Sequence, residues 1–253
     1  MRTYLEFIGN IGLFAQRAAR RALVPPFEFR MILQQIEVAG SGSLPLVLSA
    51  GFALGIVLAF HTESTLVRFG AQAVIPTVQS LAFFNEIGPL VAGLLVAGRV
   101  GAGIGAQLAG MRATEQIDAI EVLSIDSFKM LVIPRIIACT LALPLLTVCM
   151  DVAGLAGGYL AETAAFHLSF KLFLSRAFSE VTWASFIPPT VKTAIFGAAI
   201  GLISSYLGYT ANEGEEGVGR AATNSVVISS LAIILIDVVL VKFIFVLFPE
   251  TAI

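Results

Sequence analysis

Five ionisable residues fall inside long apolar stretches of this sequence: Glu86, Asp151, Lys192, Asp237 and Lys242. At the centre of a membrane-crossing helix each costs about 2.5–3.5 kcal/mol on insertion scales, so such a residue faces protein or water and marks a possible substrate or ion path. Glu86 is the sharpest of the five. Gly88 and Pro89 follow it directly, Pro89 removes a helical hydrogen bond, and an interrupted helix at membrane depth commonly lines a cavity. The competing reading is a carboxylate at a helix end near the outer interface. Asp151 and Asp237 read better as buried hydrogen-bonding groups between helices. Lys192 and Lys242 have stems long enough to snorkel.

Other motifs offer chemistry only in outline. Gly101-Ala-Gly103-Ile-Gly105-Ala106 and Gly217-Val-Gly219-Arg-Ala-Ala222 match the dinucleotide-binding spacing, but neither follows a strand in a βαβ unit, so both are decoys. No Gly-x-x-x-x-Gly-Lys-Ser/Thr phosphate loop occurs, and no Gly-Lys dipeptide exists to build one. His61 and His167 stand far apart without cysteines or carboxylates at ligand spacing, so no metal site is expected. No Gly-x-Ser-x-Gly elbow or histidine triad can be assembled, and catalysis within the chain is not expected. Cys139 and Cys149 lie ten residues apart in one apolar run, roughly 15 Å along a helix, too far for a disulfide.

The elements that must position these residues follow from composition. Of 253 residues, 57% are hydrophobic and 13% charged, about half the roughly 25% of an average soluble domain. A mean hydropathy of +0.92 over the whole length points to one membrane-embedded, all-α body. The net charge of −2, with no basic run carrying interleaved aromatics, excludes nucleic acid as a partner class. Five segments approach spanning length: Leu44 to Phe60, Ile75 to Gly98, Ile136 to Leu160, Ile187 to Tyr209 and Val226 to Phe248. The second is interrupted at Asn85–Pro89.

Before them, residues 1–43 form an N-terminal helix and elbow, and 44–253 the transmembrane domain. Tyr4, Ile8, Ile11, Ala15, Ala18 and Ala22 recur at helical spacing while Arg17, Arg20 and Arg21 fall mainly off that stripe. The helix lies in the membrane interface or docks on the rest of the chain; Pro25 and Pro26 end it. With the N-terminus inside, ten of the fifteen Lys and Arg residues fall on inner segments and three on outer ones, so the N-terminus reads as cytosolic and the tail Pro249 to Ile253 as external. His167 to Trp183 reads as an external amphipathic helix or a surface connector. Met111 to Ile125 reads as one cytosolic helix with Ile117, Ile120 and Leu123 on one side and Glu115, Asp118 and Glu121 largely on another, after which Asp126 and Ser127 cap the next helix. The pairs Gly51/Gly55, Gly154/Gly158 and Gly197/Gly201 allow close helix approach within a bilayer.

The run Asn85-Glu-Ile-Gly-Pro-Leu-Val-Ala-Gly-Leu-Leu-Val-Ala-Gly-Arg-Val-Gly101, continuing through Met111-Arg-Ala-Thr-Glu-Gln-Ile117 to Pro134-Arg135, resembles the MlaE permease family. Gly217-Val-Gly-Arg-Ala-Ala-Thr223, Ser229-Ser230 and Asp237 fit it as well, and the likeness extends from about Leu44 to Phe245. The resemblance implies the membrane subunit of an ABC-type phospholipid transporter in a bacterial inner membrane. Its partners would be a second copy of the chain meeting it through glycine-rich surfaces, a cytosolic ATPase that binds the ATP, a periplasmic MCE-domain protein and a small cytosolic accessory subunit. No cofactor would belong to this chain. The resemblance places ATPase coupling on Arg112, Ala113, Thr114, Glu115, Gln116, Asp118 and Glu121. It places lipid contact around Glu86 and Asn85, with Ala92 and Gly93 nearby; Asn85 stands where the enterobacterial pattern has arginine. The rival readings are a proton-driven secondary transporter using Glu86 and Asp237, and a purely structural assembly subunit. Five spans without an internal repeat argue against the first.

Overall fold

The computed structural model describes residues 2–22, 28–166, 169–211 and 214–247. Pro25, Pro26, His167 and the tail Pro249 to Ile253 lie outside the described residues, as do the side chains of Tyr4 and Ile8. The chain is helical, with no strand among the described residues. It begins with α1 (Arg2–Ala22), α2 (Phe29–Ala39) and α3 (Leu44–Leu66). The second span is built from α4 (Ile75–Ala82), α5 (Gly88–Val96) and α6 (Ala102–Ala113), joined by π-helical turns at Phe83–Ile87 and Ala97–Gly101. Then come α7 (Gln116–Val122), α8 (Ser127–Phe166), α9 (Phe170–Ala177), α10 (Trp183–Tyr209) and α11 (Gly214–Leu247).

Five helical stretches are long and apolar enough to cross a membrane. They overrun the expected segments: α8 alone, with 40 residues, is about 60 Å long against a hydrocarbon core of about 30 Å. The expected boundaries picked out only the most apolar centre of each helix, while the helical hydrogen bonding continues into polar surroundings. The elbow before α3 contains a helix of its own, α2, which the sequence reading had not separated.

Helix α8 is the axis of the bundle, packed against α3 on one side and α10 on another. Glycines permit this. Gly55 lies against the backbone of Gly154, Gly51 against Met150, Gly197 against the Cys139 and Thr140 backbone, and Gly201 against Ile136. Gly158 accommodates the Gln79 side chain, which donates to the Gly55 carbonyl at 3.0 Å. All three glycine pairs are spent on close helix approach within the chain, as their spacing predicts. The faces left bare are large and aliphatic: on α11, Leu231, Leu235, Val238 and Val239 are all more than half exposed.

Helix α1 docks on the bundle. Phe14 and Ala18 bury against Phe128, Val132 and Ile133, Arg17 stacks over the Phe128 ring at 4.4 Å, and Arg21 pairs with Asp126. Leu13 stays 66% exposed on the opposite side. Phe14, absent from the stripe read in the sequence, makes the principal contact.

The expected helix from Met111 to Ile125 is broken in two. Helix α6 ends at Ala113, Glu115 adopts a left-handed φ of 57°, and α7 occupies only Gln116–Val122 before Ser124 turns left-handed again at φ 60°. The chain must reverse here between two spans. Ile117, fully buried, anchors the reversal, and Arg112 reaches across it to Asp118 at 2.8 Å. Asp126 does cap α8, accepting from the Lys129 amide at 3.2 Å, whereas Ser127 turns elsewhere. At the other end of the bundle α9 is helical as one of the two readings had it, tied to α4 by Ser80 donating to the Ala177 carbonyl and Thr77 to that of Arg176.

Candidate functional site

Proline at position 89 cannot donate the helical hydrogen bond that the carbonyl of Asn85 would accept four residues earlier. The helix is not interrupted, as the sequence suggested, but widens into the π turn Phe83–Ile87 and continues. π turns of this kind recur at functional sites because they free backbone groups and re-aim side chains. Here the Asn85 carbonyl is taken up by the ammonium of Lys192, 3.1 Å away on α10.

The same ammonium sits 2.9 Å from Glu86 Oε2 and 3.0 Å from Asp237 Oδ1 on α11. Three helices thus meet through one cation and two carboxylates. The contact with Asp237 is an ion pair by proximity, not a directed hydrogen bond. Lys192 is 3% exposed and does not snorkel, contrary to the sequence reading; Asp237 is buried between helices as expected, but held there by the ion pair and not by the expected hydrogen bond. The side chain of Glu86 is 41% exposed, so it alone of the three presents substantial polar surface outward. It borders a narrow cleft with Asn85, Pro189 and Phe245. Counting along the helices, Glu86, Lys192 and Asp237 lie nine to eleven residues from the ends of their spans nearest α9, a depth of roughly 15 Å.

A cation bound by two carboxylates leaves one negative charge on the cluster. Inside an apolar bundle such an arrangement is costly to break and is well suited to exchange: an incoming charged group can replace one partner of Lys192 while the other remains. Behind it stands Asp151 of α8, buried, with neither carboxylate oxygen hydrogen-bonded, its oxygen against the Gly88 backbone where any Cβ would collide. Ala92 and Gly93, read as neighbours of the site, lie one to two turns further along α5. Ala92 is fully buried and Gly93 faces Phe196 and Ile233, so both belong to the interior of the chain and not to the wall of the cleft.

The second group of expected residues gathers at the opposite end. Asp118 is held by Arg112, and Glu121 accepts from Ser127 at 2.6 Å and from Tyr209 at 3.1 Å. These bonds, that from Ser127 first, keep the Glu121 carboxyl below its ordinary range. Glu115 and Gln116 are exposed, as are Ala113 and Thr114. Beside them Val122 is 83% and Leu123 71% exposed, an apolar tip that the sequence reading had turned partly inward.

In the sequence Lys192 stands among the ionisable candidates but reads as able to snorkel, not as the centre of the cluster. The spacing of Pro89 after Asn85 announced a free carbonyl, but nothing local revealed that its partner lies 107 residues away.

Five apolar spans around a buried charge cluster, with an exposed reversal at one end, define a membrane transport subunit. The chain matches the family Permease MlaE over residues 32–243 and belongs to it. It is 39% identical over 240 residues to a probable ABC transporter permease of Rickettsia bellii, covering 95% of this chain and 93% of that one. It is 34% identical to a probable ABC transporter permease of Synechocystis over 81% of this chain and 78% of that one. It is also 32% identical to the chloroplastic protein trigalactosyldiacylglycerol 1 of Arabidopsis thaliana, over 93% of this chain and 67% of that one. The chain is an ABC transporter permease with several membrane-spanning helices.

Proposed function

We propose that this permease moves phospholipid between a bacterial inner membrane and a periplasmic MCE-domain partner, as a homodimer driven by ATP hydrolysis on a separate cytosolic subunit. The observation that carries the reading is the Glu86–Lys192–Asp237 cluster, whose outward carboxylate can exchange with a zwitterionic or anionic headgroup while Lys192 keeps its second partner. The name of the Arabidopsis relative refers to a glycerolipid, which agrees with a lipid cargo. With the N-terminus cytosolic, α1 and α7 lie on the ATPase side and the cluster in the outer half of the membrane. The coupling surface is Glu115 and Asp118 together with the apolar tip at Val122 and Leu123; Arg112 and Glu121 hold its shape. The bare aliphatic face of α11 supplies the contact with a second copy or with lipid tails.

Reconstitution tests this. Proteoliposomes holding the permease with its copurifying chains should transfer fluorescent phospholipid to the periplasmic partner only with ATP. Movement that follows a pH gradient without ATP would establish the secondary transporter instead, and no movement under either condition would leave an assembly role.

A further inference from the structure

A second charged site lies in the other half of the bundle, in a small cavity of about 70 Å³ between α2, the second π turn, α6 and α8. Gln35, Arg99, Gln107 and Arg135 line it. Arg135 is 7% exposed and faces no carboxylate within ion-pair distance among the described residues. One terminal nitrogen donates to its own helix at the Leu131 carbonyl, the other reaches Gln107 Oε1 at a long 3.4 Å, and Nε has no partner. Arg99, on the second π turn, adds another guanidinium that no described carboxylate pairs. A buried arginine is normally matched by a carboxylate, because an uncompensated charge in an apolar interior is severely penalised. Here one such buried cation, the exposed guanidinium of Arg99 and two amides converge on one cavity.

We propose that this cavity is a binding site for a phosphate group. Guanidinium forks pair with phosphate oxygens in bidentate fashion, with geometry a single ammonium cannot match. The free Nε of Arg135 and the side chain of Arg99 supply the donors, and Gln35 adds an amide. Val38, Val100 and Ile104 form an apolar remainder of the wall; a cavity of this size admits a phosphate group and leaves the glycerol and chains of a phospholipid outside it, whereas inorganic phosphate would use the polar part alone. Arg135 lies eight residues into α8, about 12 Å from the helix start, at the end of the bundle that carries α1 and α7 and away from Glu86. The cavity thus lies at a depth of its own, apart from the Glu86 cluster. The inference goes beyond the transport reading and stands on the cavity itself.

Native mass spectrometry of the purified permease, with whatever chains accompany it, tests the site without ATP or transport, so its failure leaves the transport reading intact. The probes are dioctanoyl phosphatidylglycerol, dioctanoylglycerol with the same tails and no phosphate, and inorganic phosphate. Arg99→Gln and Arg135→Gln should each weaken phosphatidylglycerol binding at least tenfold, the scale of losing a charge-assisted pair, while Arg68→Gln at the far end changes nothing. Dioctanoylglycerol should bind all variants alike. Displacement of the lipid by inorganic phosphate supports the site with free phosphate as an occupant, and no displacement supports it with the lipid headgroup as the occupant. Arg99 is exposed, so Arg99→Gln folds even if Arg135→Gln does not. An Arg99→Gln protein that elutes like wild type and binds phosphatidylglycerol within twofold of it overturns the proposal.

Discussion

Replacing Lys192 by methionine keeps an unbranched side chain one atom shorter and removes the cation that Glu86 and Asp237 share. Removing one partner of a buried pair costs about 3–5 kcal/mol, because the other charge is left behind uncompensated. Asp237 is that charge: its side chain is 11% exposed, and no second cation pairs with it among the described residues. For a chain of this length each kcal/mol moves the melting temperature by roughly 2–4 °C, so Lys192→Met should melt about 6–20 °C lower. Glu86→Gln should do far less to stability, since its side chain is 41% exposed and an ion pair of that kind contributes at most about 1 kcal/mol. The double change Lys192→Met with Asp237→Leu removes both buried charges and should recover at least half of the loss. The assay is thermal unfolding of detergent-solubilised protein followed by size exclusion, with lipid transfer measured in parallel. Transport should show the opposite order, Glu86→Gln losing more activity than stability. A Lys192→Met permease melting within about 2 °C of wild type would refute the reasoning, because no buried charge would then depend on that ammonium.

Other perturbations separate packing from function. Gly93→Leu, overpacked against Phe196 and Ile233, and Ala92→Phe at a fully buried position should each lower the amount of folded permease in membranes, a penalty of about 1–3 kcal/mol, and normal abundance with blocked transport would instead put them on the lipid route. Glu115→Lys with Asp118→Lys should remove the ATPase from copurified complexes without changing the elution of the permease; full retention would shift the coupling to the Val122 and Leu123 tip. Glu121 has its folded value lowered from 4.5 by hydrogen bonds, so its contribution is complete above that value and is lost as pH falls through the lowered one. Between about pH 5 and pH 3 the wild type should therefore lose thermal stability relative to Glu121→Gln, and identical pH profiles would count against the Ser127–Tyr209 clasp.

The spans were legible because hydropathy over twenty residues reports burial in lipid whatever the tertiary contacts are. The glycine pairs were legible as close approaches, yet their partners were not: Gly55 meets Gly154 and Gly201 meets Ile136, pairings that depend on how α8 threads the bundle. Glu86 stood out through Pro89, a local signal. Lys192 did not, because a lysine in a span snorkels or pairs according to what neighbouring helices present, and that information lies on the first π turn and on α11. Periodicity read Met111 to Ile125 as one helix because it ignores the reversal imposed between two antiparallel spans, where Glu115 and Ser124 take left-handed conformations without glycine.

The two π turns at Phe83–Ile87 and Ala97–Gly101 bracket α5 within a single span. Each turn inserts about one residue of slack into the helical register, equivalent to a rotation near 100° and an advance near 1.5 Å. Slack can be handed from one turn to the other: tightening the first while loosening the second would revolve the nine residues of α5 like a roller between fixed bearings, with neither end of the span displaced. Glu86 rides on one bearing and Arg99 on the other, so a twist entering at either residue is carried to its counterpart along the backbone, without any helix tilting in the membrane.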